Sequence, residues 1–106
     1  MNINNLIGEA TAYDKKLQLE VKRPKSWLKS VSAFANGEGG TLVFGISDDD
    51  QVVGLADAET DAERISEEIK TKLDPIPTVD SNLRRWKARN WYYFTFIMDK
   101  KHHITI

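Results

Sequence analysis

The stretch that most constrains this 106-residue chain is residues 28–55, LKSVSAFANGEGGTLVFGISDDDQVVGL. Leu28, Val31, Ser32 and Ala35 recur at spacings of three and four, which is one face of a helix, and Ala33 and Phe34 broaden its apolar side. The string NGEGG at 36–40 stops that helix, because Asn and Gly take left-handed backbone angles at little cost. TLVFGI follows at once, an apolar run suited to a buried strand. Residues 47–50 read as a turn and residues 51–55 as a short return strand. The spacing predicts helix, glycine turn, strand, acidic turn, strand.

Around this unit the rest of the chain falls into short elements. Leu17, Leu19 and Val21 alternate with Gln18 and Glu20, which predicts a strand over 17–21 that puts Gln18, Glu20 and Lys22 on the face away from the leucines. Pro24 ends it, and Ser26 is the expected cap of a helix over 27–35. Residues 2–12 are weakly patterned and read as a short leading helix or arm. Ala58, Ala62, Ile65, Ile69 and Leu73 predict an amphipathic helix over 58–73, acidic early and basic late, capped by Asp57 or Thr60. Pro75 and Pro77 stop that helix, and strands are expected near 78–83, 91–97 and 103–106. The fold class is therefore α+β, a single domain with two or three helices packed on a mixed, mostly antiparallel sheet.

The chain is 41% hydrophobic and 29% charged, an ordinary globular composition with one modest core. No run reaches the length of a membrane span, and MNINNLIGEA lacks the basic-then-apolar plan of a secretory signal. Cysteine is absent, which excludes disulfides, zinc–thiolate sites and thiol catalysis, and fits a cytoplasmic setting. A net charge of −1 conceals segregation. Residues 15–29 hold six bases against one acid, 38–80 twelve acids against three bases, and 84–106 six bases against one acid. Such blocks either expose a basic face or cancel against the acidic helix, and the sequence leaves both open.

Several of these residues together carry a resemblance. Leu19-Glu20-Val21-Lys22, Ala33-Phe34-Ala35-Asn36, Gly39-Gly40, Leu42, Gly45-Ile46 and Gly54-Leu55 follow, in order, the pattern L-E-x-K, A-F-A-N-x-x-G-G-x-L-x-x-G-[IV], acidic turn, x-x-G-L. On them the chain resembles the Schlafen/Alba-like DNA-binding domain family, found at the N-terminus of bacterial transcriptional regulators and ATP-binding proteins. The best-matched part is 17–77 of a single domain spanning 1–106. The C-terminal part lacks the family's threonine-proline-tyrosine pattern and reads as atypical or truncated, a shortened or frame-altered form of a longer parent.

The resemblance also bears on the acids. In ribonuclease members of the wider Schlafen group, three acidic residues hold a divalent metal for phosphodiester cleavage. Glu20 matches one of them, and Asp48 or Asp49 lies near another, which implies Mg²⁺ or Mn²⁺. The first acid of the set falls on Lys15 here, and Asp14 and Glu9 stand at the wrong spacing. The preferred reading has no metal: Glu20 pairs with a neighbouring base, and residues 48–50 make a solvated turn.

The bases are the other candidates. Lys22, Arg23, Lys25 and Lys29 adjoin the best-matched motif, where cations beside a helix N-terminus suit phosphate contacts. Arg84, Arg85, Lys87 and Arg89 interleave with Trp86, Trp91 and Tyr92, a composition that suits backbone contact and base stacking, or else an ordinary strand pair. NGEGG joins helix to strand and is followed by no G-K-[ST], so Asn36, Gly39 and Gly40 are expected in structural roles, as are Gly45 and Gly54. His102 and His103 are adjacent, and in a strand they point to opposite faces.

The expected function is nucleic-acid binding, DNA in preference to RNA, as a module of a bacterial transcriptional regulator rather than as an enzyme. Lys22, Arg23, Lys25, Lys29, Arg84 and Arg85 are the expected phosphate contacts, with no cofactor and no membrane partner. Two alternatives stay open. One is a metal-dependent endoribonuclease using Glu20, Asp48 and Asp49. The other is a homodimer in which the aromatic strand 91–97 pairs with a second chain across a sheet edge.

Overall fold

The apolar run TLVF and the aromatic run WYYFTF pair with each other at the centre of a four-stranded sheet. The computed structural model describes residues 12–20, 22–98 and 102–106. In chain order the elements are β1 (Tyr13–Lys16), α1 (Lys25–Asn36), β2 (Gly40–Phe44), α2 (Ala58–Lys72), β3 (Val79–Trp86) and β4 (Arg89–Phe96). The strand order is β1-β2-β4-β3, with β1 parallel to β2 and the other two pairings antiparallel. Two helices on a mixed, mostly antiparallel sheet is the α+β domain that the pattern predicts.

Strand alternation splits the sheet into two faces. Leu42, Phe44, Tyr92, Phe94 and Phe96 turn towards both helices, meeting Trp27, Leu28, Val31 and Ala35 of α1 and Ala58, Ile65 and Ile69 of α2. Each large side chain buried there contributes about 1.5–3 kcal/mol. Val43, Trp91 and Tyr93 turn the other way into a smaller cluster with Ile46 and Val52. The turn between α1 and β2 is tight for two reasons. Gly39 has φ +85°, and a Cβ there would stand 2.8 Å from the Phe96 carbonyl oxygen, while a Cβ on Gly40 would collide with the Phe34 ring.

Several expectations are corrected. Among the described residues the first strand is Tyr13–Lys16; of the strand expected over 17–21, residues 17–20 are irregular, and Leu17 is 52% exposed. Polar β1 is held by distant partners that a local pattern does not show: Ser30 Oγ donates to Asp14, and Lys15 reaches the 48–50 turn. Ser26 is not the cap of α1. The helix starts at Lys25 behind Pro24, with no side-chain cap, and Ser26 Oγ is buried without a partner.

The return strand over 51–55 reduces to a bridge between Ile46 and Val52, because the Val53 and Gly54 N–H groups both donate to the Gly45 carbonyl at 2.9 and 3.0 Å. The expected last strand is likewise a single bridge, Asp74 to Thr105. It is secured by Asn36, whose Nδ2 donates to the Ile104 carbonyl at 2.9 Å and whose Oδ1 accepts the Ile104 N–H at 2.7 Å. The aromatic strand has β2 on one side and β3 on the other, so it offers no free edge to a second chain; among the described residues β1 and β3 are the edges. Residues 2–11 of the expected leading helix or arm lie outside the described residues. No helix among the described residues is long and apolar enough to cross a membrane.

Candidate nucleic-acid interface

The connection from β1 to α1 brings together the first group of cations. Lys22 and Arg23 stand exposed in the loop, where the Arg23 N–H donates to the Glu20 carbonyl at 3.3 Å and the Ser26 N–H to the Arg23 carbonyl at 3.0 Å. Lys25 opens the helix and Lys29 follows one turn later, both exposed. The first turn of α1 contains no acid. The positive end of the helix dipole therefore adds to the four side chains instead of being offset. None of the four is ion-paired among the described residues, where the salt bridges are Lys15–Asp50 and Lys16–Asp14. Across a cleft from this loop stand Glu67 and Glu68 of α2.

Arg84 and Arg85 lie apart from this group, on β3 at the opposite edge of the sheet. As neighbours in one strand they face opposite sides. Arg84 sits over the Tyr93 ring, 5.8 Å from its centroid, and donates to the Tyr93 hydroxyl at 3.3 Å. Lys87 covers Trp86 at 4.5 Å, while Trp91 and Tyr92 are buried in the two clusters. The interleaved bases and aromatics thus form an ordinary strand pair, with little ring surface open to a base.

The acids are not brought together. Lys15 Nζ donates to the Asp48 carbonyl at 2.8 Å and to Asp50 Oδ1 at 2.7 Å, and Asp49 accepts from Ser47 Oγ. Asp48 lines a recess with Lys15 and Lys16, whereas exposed Glu20 lines a different cleft against α2. Among the described residues no three His, Asp or Glu side chains are placed to hold a metal ion. Where the resemblance puts a ligand, a lysine ammonium binds the acidic turn.

Two perturbed groups influence each other, Asp61 in the first turn of α2 and Tyr92 on β4. Burial lifts the Asp61 carboxyl above its ordinary range, with Asp57 adding to the effect and Arg64 opposing it. Burial, and secondarily Asp61, pushes the Tyr92 phenol far up, so it stays neutral at any ordinary pH. Asn36, Gly39, Gly40, Gly45 and Gly54 occupy the turns and the C-terminal clasp described above.

Comparison with known proteins comes at two levels. The Schlafen AlbA_2 family model matches residues 9–103, which includes the β3–β4 pair. Among solved structures, the N-terminal domain of a RecG-related protein from Nitrosomonas europaea superposes with a TM-score of 0.65 at 20% identity, over 91% of this chain and 69% of that one. The DIP2311 protein of Corynebacterium diphtheriae superposes with a TM-score of 0.58 at 18% identity, over 92% of this chain but 19% of that one. At such identities the likeness is one of fold. No curated protein matches the chain.

Proposed function

The chain belongs to the Schlafen AlbA_2 family, and we propose that it binds nucleic acid, DNA in preference to RNA, through the cations around the start of α1. The observation that carries this reading is the grouping of exposed Lys22, Arg23, Lys25 and Lys29, with no ion pair among the described residues, at a helix start that lacks acids. Such a group contacts phosphates and gives affinity that salt erodes. Arg84 and Arg85 join the contact only for a ligand long enough to reach the far edge of the sheet. The preference for DNA, the role in a bacterial transcriptional regulator and the cytoplasmic setting rest on the resemblance carried by residues 17–77 and on the lack of cysteine.

Oligonucleotide anisotropy over a salt series tests the reading. The native chain is expected to show a steep log–log dependence, and Lys22→Ala with Arg23→Ala to reduce its slope by about two. A flat salt response, or a double variant that binds like the native chain, rejects the interface.

A further inference from the structure

The two edges of the sheet differ in how they meet other chains. β1 is four residues long and carries Lys15 and Lys16, both ion-paired, the kind of short, charged edge that discourages pairing. β3 is eight residues long, pairs with β4 one-to-one from Val79 to Trp86, and contains no proline, glycine, lysine or bulge. Just before it the Ile97 N–H donates to the Thr78 carbonyl at 3.2 Å, so even-numbered residues here turn their backbone groups towards β4. Val79, Ser81, Leu83 and Arg85 therefore turn theirs outward, to a side where no other strand lies among the described residues.

We propose that this edge pairs with the same edge of a second copy, antiparallel, about a twofold axis at Asn82. A twofold relating neighbouring antiparallel strands runs normal to the sheet, so each residue meets one from the same face. Asp80 and Arg84 share the face turned away from the helices, where they stand opposite Thr95 and Trp91 of β4. With the axis at Asn82, Asp80 of each copy lies across from Arg84 of the other. An axis at Ser81 or Leu83 sets Asp80 against Asn82 or Trp86 instead, and an axis at Arg84 sets two guanidinium groups against each other. Asp80 cannot meet Arg85, which lies on the helix side. Only the Asn82 register pairs opposite charges, and it does so twice.

The other face of the strand agrees. In this register Leu83, 45% exposed, lies opposite Ser81 and diagonal to the second Leu83, so the two leucines cover each other. The outward backbone groups bond in the pairs 79 with 85 and 81 with 83. Asp80, Asn82 and Arg84 fall in the intervening pairs, where side chains stand closest. A foreign extended peptide could take the same backbone bonds. One acid and one base placed symmetrically about a central asparagine favour a second copy of this strand.

Sedimentation velocity of the full chain over a concentration series tests the pairing. The native chain is expected to pass from monomer to dimer as concentration rises. Asp80→Arg and Arg84→Asp each set like charges opposite one another at both ends, and each should stay monomeric. Mixed in equal amounts, the two variants should dimerise again, because both pairs then hold opposite charges. Circular dichroism shows whether each variant is folded. Should either misfold, Asn82→Cys gives a separate reading, since the chain has no cysteine of its own. A pair at the axis places its Cα atoms about 4.5 Å apart, within disulfide reach. Oxidised glutathione should therefore join Asn82→Cys into covalent dimers and spare Arg85→Cys, whose two copies would stand far apart along the strands. A native chain that stays monomeric across the series overturns the proposal. So does a dimer that both charge variants keep, one that mixing fails to restore, or equal cross-linking of the two cysteine variants.

Discussion

The helices α1 and α2 begin in opposite ways. α2 satisfies itself: Asp57 accepts the Thr60 N–H at 3.2 Å, Glu59 and Asp61 occupy the first turn, and Lys70 and Lys72 the last. Every charge in that arrangement opposes the helix dipole. α1 has no side-chain cap, no acid in its first turn and no base in its last, and Lys22, Arg23 and Lys25 cluster where a stable helix would carry carboxylates. Both helices bury a similar apolar stripe in the same core, so the contrast does not come from packing. A terminus neutralised from within offers a ligand little, whereas α1 supplies neither a side-chain cap nor a first-turn acid of its own.

Charge removal should break this symmetry most visibly. Replacing Lys22, Arg23, Lys25 and Lys29 together by alanine is expected to lower the log–log salt slope of oligonucleotide binding by about four. The same treatment of Lys70 and Lys72 should leave anisotropy titrations unchanged, and an equal loss from both helices would erase the distinction. In stability the order reverses. Asp57→Ala should cost about 1 kcal/mol in urea melts, because the Thr60 N–H loses its acceptor. Ser26→Ala should stay within about 0.5 kcal/mol of the native chain, since its hydroxyl caps nothing.

A single change can sharpen the trade-off. Lys25→Glu places a carboxylate at the start of α1, so it should raise stability by about 0.3–1 kcal/mol while weakening oligonucleotide binding. Loss of both properties would contradict a helix start kept positive for a ligand.

The smallest expected effect is at Asp61. Its carboxyl is raised in the folded state, so ionisation disfavours folding, and that penalty is present at neutral pH and disappears as the pH falls below the ordinary carboxylate range. Asp61→Asn is expected to be the more stable protein at pH 7 and to lose its lead in acid. The gain should be under about 0.5 kcal/mol, because solvent screens the group. Melts across pH 3–7 would show it, and a lead that grows in acid would reverse the assignment.

The parts of the fold legible in the sequence are those whose signals are local. α2 was readable because its apolar period, its Asp57 cap and its charge gradient all fall within sixteen residues or so of one another. The turn after α1 was readable from two adjacent glycines. β1 was not, because Tyr-Asp-Lys-Lys has no strand pattern of its own. Its polar side chains are answered by Ser30 and by the 48–50 turn, and the nearby Leu17–Leu19 alternation imitates a strand where there is none.

The candidate site divides along the same line. The cations at 22–29 are contiguous and were visible, whereas Arg84 and Arg85 joined them only by composition, and the strand order sends them to the far edge. The cleft that Glu20 lines against α2 had no sequence signal, because its walls, with Trp27 on α1 and Glu68 on α2, meet only after packing.

The Asn36 clasp on Ile104 has a consequence in time as well as in shape. An asparagine followed by glycine tends to deamidate in solution, when the glycine nitrogen attacks the side-chain carbonyl. Here the carboxamide is engaged at both ends by Ile104, and the Gly37 N–H is occupied by the Ala33 and Phe34 carbonyls at 2.9 and 3.3 Å. The contact that fastens the last residues is therefore expected to slow ageing of the chain at this point. Peptide mass mapping after prolonged incubation should find conversion at Asn36 slower in the intact protein than in a form lacking residues 102–106; equal rates would show that the clasp confers no chemical durability.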